Sequence, residues 1–360
     1  MKISGSFRQQ QPIKSFGNTM FQQIYTIGRN TFLESIRQPV YVVLVMVVSM
    51  ILILNTFMSA YTLDDDNKLL VDMGLSTLLL AGMLISVFAA SSAISTEIEN
   101  KTVLTVVSKP VGRPIFILGK FAGVGAAAGL AIYVLGLVLL FSVRHKVMQS
   151  AADEWDGPVL TFGFGAAFLA LIVATVGNYM YNWVWPSTFA VTLAILESVA
   201  YLLVLVLSPE WEFQSIGAEF VAKDSQLGQL MVVMTLVFEA VLILAAIAVA
   251  CSTRLGQVMT LCICLMVFAL GLVSEPVFGK FLEDFDPGRY STVLGIVLKT
   301  GAHLMYAITP NLQFLWQADA LTNHYTVAME HVAYVSGYAL LQVTAFLSLA
   351  VALFQTREVG

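Results

Sequence analysis

Apolar residues in this chain neither alternate nor keep to one helical face; they occur in long unbroken runs. A helix rises about 1.5 Å per residue, so about 20 apolar residues cross a hydrocarbon core of about 30 Å. Five stretches meet this length easily: Pro39 to Tyr61, Leu69 to Ile94, Ile115 to Val143, Leu227 to Cys251 and Val332 to Phe354. Trp185 to Ser208 and Gly256 to Phe278 also meet it, each with one acidic residue, Glu197 and Glu275. Val159 to Asn178 is the weakest, because Gly163, Gly165 and Gly177 lower helix propensity. The pattern predicts an all-α polytopic membrane protein with about eight transmembrane helices in one transmembrane domain over 39–355.

Between the runs, the predicted elements are few. Residues 1 to 18 are rich in Gln, Ser and Gly, as disordered tails are. From Thr19 to Gln38, Phe21, Ile24, Tyr25, Phe32, Leu33 and Ile36 recur roughly at helical spacing, which predicts an amphipathic helix at the membrane surface, broken by Pro39. A plain extension of the first span is the alternative. Within 96–114, Thr96-x-x-Glu99 has the form of a capping box, so a short helix is expected to start near Glu97 and stop before Pro110. Gly279 to His331 is too mixed for a further span and predicts an interfacial or re-entrant helix. The third run repeats small residues four apart, Gly119, Gly123, Ala127 and Ala131, with Gly125 and Gly129 on a neighbouring line. Such rows let helix backbones approach closely, so packing inside the bundle or at a subunit seam is expected.

Composition agrees: the chain has 360 residues, 58% apolar and only 11% charged, far from soluble averages. The net charge of -5 gives no pull toward nucleic acid, and none is expected as a partner. Eight spans put both ends on one side. That side holds Lys2, Arg8, Lys14, Arg29, Arg37, Lys101, Lys109, Arg113, Lys120, Arg254 and Arg357, against only Glu34, Glu97, Glu99 and Glu358. The Lys/Arg bias predicts that both termini, including the tail 356–360, are cytoplasmic in a cell (inner) membrane. The first run is longer than the core of a cleavable signal, so none is expected.

Catalytic patterns are lacking. No G-x-x-x-x-G-K-[ST], H-E-x-x-H or G-x-S-x-G occurs, and His145, His303, His324 and His331 fall outside the apolar runs. Cys262-x-Cys264 near Met259 and Met266 could suggest a soft-metal path, but residues two apart on a helix point away from each other, and no metal site is expected. Glu239 and Glu197 are different. A carboxylate inside hydrocarbon costs roughly 2.5–3.5 kcal/mol on insertion scales, so each either serves a functional cavity or fixes packing through a hydrogen bond.

The run from Ile94 to Lys120 resembles the signature region of ABC-2 type transporter permeases, through Glu97, Glu99, Thr102, Ser108, Lys109, Pro110, Val111, Arg113, Gly119 and Lys120. Ala307-Ile-Thr-Pro-Asn-Leu-Gln-Phe314 is similar to the stretch before the last span in that family, and Phe354-Gln-Thr-Arg-Glu-Val359 to its tail. The subgroup it most resembles is the multicopper-enzyme-maturation-type permeases. A minimal member has six spans; the excess here lies between Arg144 and Gln226.

The resemblance implies that 97–107 is a coupling helix docking on a cytoplasmic ABC ATPase subunit, with Glu97, Glu99, Lys101, Thr102, Lys109, Pro110 and Arg113 at the contact. ATP and Mg would then sit on that partner, leaving this chain with no cofactor and no enzymatic activity. A second permease chain, identical or paralogous, would complete the transporter, and export rather than import is implied. From the residues alone, the same segment also suits an ordinary loop helix anchored on headgroups by Lys109 and Arg113. The rival functions are an ion-coupled secondary transporter and a non-catalytic membrane anchor of a complex.

Overall fold

The computed structural model describes residues 16–58, 66–99, 112–147, 155–221, 227–285, 292–323 and 325–355. Its main elements are α1 (Phe16–Arg37), α2 (Pro39–Met58), α3 (Asp66–Glu99), α4 (Arg113–His145) and α5 (Gly157–Tyr181). They continue as α6 (Trp185–Val206), α7 (Leu227–Ser252), α8 (Gln257–Ser274), α9 (Thr292–Ile308) and α10 (Met329–Gln355). Among the described residues there is no strand, only an isolated bridge between Leu207 and Phe213. The helices α2 to α8 and α10 are eight elements long and apolar enough to cross a membrane. The protein is an all-α, multi-pass membrane protein.

Two levels of exposed aromatic side chains mark the edges of the apolar zone. Tyr179, Tyr181 and Trp183 lie at one end of α5, and Trp155 and Trp211 at the other. Amphipathic rings of this kind settle at headgroup level. Between these levels the peripheral helices expose Val43, Met50, Phe168, Met266 and Leu341, as lipid-facing surfaces do. The most buried spans are α3, α4 and α7.

The two ends of the described residues share one face. There α1 packs along the start of α4, and the last turn of α10 meets Arg113 and Phe116 of the same helix. The opposite face joins the end of α4 to the loop before α5 and to the end of α6.

The small-residue rows of α4 face two partners. A Cβ on Gly119 would sit 2.7 Å from Ile27 Cβ, and one on Gly123 would sit 2.5 Å from the Gly28 carbonyl oxygen. A Cβ on Gly28 would in turn sit 3.3 Å from the Gly119 oxygen and 3.7 Å from the Gly123 nitrogen. Farther along, the Ala127 carbonyl accepts from the Tyr41 hydroxyl at 2.8 Å. The amphipathic helix is therefore seated backbone to backbone on the third span, through Ile27, Gly28 and Thr31, while Phe21 and Tyr25 stay exposed. The second line, Gly125, Gly129 and Gly136, receives Leu242, Phe238 and Met234 of α7. Glycine frequency in the fourth span also has a local cause: Gly177 leaves room for the Trp183 ring in the tight turn to α6, closed by Asn182 in the left-handed region.

Three expectations are corrected. Thr96 does not cap a new helix at Glu97, because α3 runs unbroken from Asp66 to Glu99 with no glycine or proline after Gly82 to stop it; the rest of the expected short helix, 100–107, lies outside the described residues. Lys120, counted among the charges on the side of the chain ends, is buried about two turns into α4, its ammonium 5.6 Å from the Phe116 ring centroid. His145 and His331 lie inside the terminal turns of α4 and α10 rather than in loops.

Replacing Gly123 by alanine will destabilise the protein by about 1–3 kcal/mol, since backbone must move. The same change at exposed Gly165, where a Cβ meets nothing within 4 Å, will stabilise it by up to about 1 kcal/mol through helix propensity. Thermal unfolding of the two variants in detergent micelles reads the opposite signs.

Candidate functional site

The face shared by the two chain ends carries the first candidate region. Helices α3 and α4 have 34 and 33 residues, so each is about 50 Å long at 1.5 Å per residue, against a hydrocarbon core of about 30 Å. At this face α3 continues beyond the end of its apolar run at Ile94 to Glu99, and α4 begins at Arg113 behind Gly112, with Pro114 in its first turn. Proline suits that position because the first amides of a helix have no intrahelical acceptor. Glu97 and Glu99 thus occupy the last turn of α3. Lys101, Thr102, Lys109 and Pro110, and the side chains of Glu97 and Glu99, lie outside the described residues.

Arg113 is tied to the far end of the sequence. Its Nη1 donates to the Gln355 carbonyl, and Arg254, in the turn between α7 and α8, donates through Nε to the Leu353 carbonyl at 2.9 Å. Both acceptors belong to the last turn of α10, where carbonyls lack intrahelical donors and the helix dipole is negative. The Phe116 and Phe354 rings stack beside them at 5.4 Å. The helix that leaves the 100–112 segment is thereby joined to the last span. Sequence reasoning missed this joint. The basic residues at Arg113 and Arg254 were visible, but not that they share one helix end.

The two membrane carboxylates are not brought together. Glu239, in the middle of α7, accepts from the Ser336 hydroxyl of α10 at 2.7 Å on Oε1, while Oε2 is buried without a partner. Glu197 is buried in α6, and its Oε2 likewise has no partner. Glu239 fits the packing alternative on one oxygen, whereas Glu197 has an unsatisfied oxygen and no interhelical bond to account for it.

Two polar clusters at the opposite face were not foreseen. Arg144 is buried with Asp156 at 3.1 Å and Glu219 at 3.5 Å, and it also donates to the Val204 and Leu207 carbonyls at the end of α6. Asp156 simultaneously caps α5 through the Val159 amide. One guanidinium therefore gathers the ends of three helices. The second cluster centres on Pro310-Asn311-Leu312. Pro276 interrupts α8 in a π-helical turn, Glu275–Gly279, as its missing N–H and ring require. Glu275 Oε2 then accepts from the Tyr306 hydroxyl of α9 at 2.7 Å and from Asn311 Nδ2 at 3.0 Å. That hydrogen bond to Glu275 is the main cause pushing the Tyr306 pKa up. The Asn311 amide donates to the Tyr338 hydroxyl of α10 at 2.7 Å. Gly271 admits this turn, since a Cβ there would be 2.8 Å from the Pro310 oxygen. After α9 the chain bends by 51°. Only proline and asparagine spacing in the sequence hinted at this turn.

Among the described residues, no three His, Cys, Asp or Glu side chains gather as a metal would require. Cys262 is exposed and Cys264 buried, on different sides of α8.

Breaking the Arg144 cluster by Arg144→Gln strands Asp156 and will cost about 3–5 kcal/mol, whereas Lys146→Gln, exposed two residues on, will stay within about 0.5 kcal/mol. A double-mutant cycle of Glu239→Gln with Ser336→Ala will give a coupling of about 0.6 kcal/mol, and no more than about 1.7, as membrane hydrogen bonds do. Unfolding in mixed micelles measures both.

The chain compared with known protein families and with curated proteins matches none of them.

Proposed function

We propose that this chain is the membrane-spanning permease subunit of an ATP-binding-cassette exporter, with ATP hydrolysed on a separate cytoplasmic subunit and a second permease chain completing the pathway. The face carrying both chain ends is the cytoplasmic one in this reading, as its Lys/Arg excess requires. The observation that supports it is that α3 ends at Glu99 and α4 begins at Arg113 on that face, so that the residues resembling the ABC-2 signature include the ends of these two long helices. A docked ATPase pushing there acts on α4, the most buried span, and through Arg113 on α10.

Ion-coupled transport has one observation in its favour, the unpartnered oxygens of Glu197 and Glu239. It would make those two carboxylates the engine, and no ATPase would be needed.

Affinity purification of the tagged chain from its native membranes separates the two. An ATPase subunit will accompany wild type and be lost with Glu97→Lys, Glu99→Lys. Arg113→Ala will retain the ATPase, but its hydrolysis will no longer respond to the permease. Absence of any ATPase, together with loss of transport in Glu239→Gln, would favour ion coupling.

A further inference from the structure

A groove of about 520 Å³ opens sideways between α6 and α7, with α4 as its floor. Ser198, Leu202 and Leu205 form one wall, Met231, Met234 and Phe238 the other. Helices α6 and α7 both pack on α4 and scarcely on each other, so the gap between them is a property of the bundle. It lies in one half of the membrane. Gly129 and Phe238, at its inner end, are near the middle of their helices, whereas Leu140, Leu205 and Met231 are near the ends that meet the Arg144 cluster.

The lining is apolar and its hydroxyls are already engaged. Tyr133 and Ser198 bond to each other at 2.7 Å, and Thr235 donates to the Met231 carbonyl at 2.9 Å. The Tyr201 hydroxyl has no partner, but it is closed off beneath the wall. Nothing accessible in the groove asks for water or a polar ligand. From Gly129 to Leu140 the floor runs about 16 Å at 1.5 Å per residue. The volume spread over that length averages about 30 Å² in section, while a helix about 10–12 Å wide needs more than about 75 Å². A helix of a second copy cannot be enclosed there, but a flexible hydrocarbon chain can.

We propose that this groove is a binding site for one acyl chain of a membrane phospholipid, taken from the leaflet next to the Arg144 cluster. The site is independent of any ATPase partner, because its walls belong to this chain alone. An acyl chain entering sideways leaves its headgroup at the bilayer surface and meets only side chains that hydrocarbon solvates.

The test places the full chain in phosphatidylcholine vesicles containing a phosphatidylcholine with a photoreactive diazirine on one acyl chain, and maps labelled peptides by mass spectrometry. Labelling of 198–205 and 231–238 will exceed that of the exposed α2 positions Val43 and Met50 at least threefold. Thr235→Trp and, separately, Leu202→Trp fill the groove and will reduce its labelling to the α2 level while leaving α2 unchanged, which also reports that the variant is folded. Groove labelling no denser than on α2, or unaltered in a folded variant, overturns the proposal. So does a groove labelled in monomers but protected in cross-linked dimers, which would make it an interface between copies.

Discussion

The close approach of α1 to α4 is the contact on which the remaining arrangement depends. At Gly28, Gly119 and Gly123 two backbones meet with no side chain between them, and Tyr41 then secures the start of α2 to the Ala127 carbonyl. In lipid, helices gain little from hydrophobic burial against each other, so packing at such seams and hydrogen bonds between helices must supply the association. Helix α4 uses one line of small residues for α1 and another, through Gly125, Gly129 and Gly136, for α7. It is thereby the axis of the bundle.

Polar groups obey the same solvent. With no water to pair them in the hydrocarbon, they collect at helix ends, where carbonyls and amides lack intrahelical partners. Arg144 serves the end of α6, Arg113 and Arg254 serve the end of α10, and Asn311 with Glu275 joins α8, α9 and α10. The three clusters stand at the two faces and tie the ends of neighbouring helices to one another. Glu197 and Glu239 are the exceptions, each holding a buried oxygen without a partner.

The groove between α6 and α7 follows from the same economy of contact. Both helices are satisfied by α4, and nothing in their sequences draws them together. Lipid fills what protein does not. In the proposed transporter, α4 would then stand between the site of ATPase docking at one end and a lipid-accessible cleft near the other.

The eight spans, the amphipathic helix before Pro39 and the common side of both chain ends were legible in the sequence. Spanning hydrocarbon demands length and apolarity, and both can be counted along one dimension. The neighbours of each span were not legible. In a soluble protein the buried face of a helix differs chemically from the exposed one, but here Val43 toward lipid and Val45 toward the core are the same residue type. Rows of glycine announced close packing without naming α1 and α7 as the partners. Arg144 lies just past the apolar run that ends at Val143 and Thr96 looked like a helix start; only tertiary structure shows that one is enclosed by three helix ends and the other lies within a continuous helix. An apolar solvent erases the contrast from which sequence patterns report tertiary contact, and so the packing was decided by shape and by the pairing of a few buried polar groups.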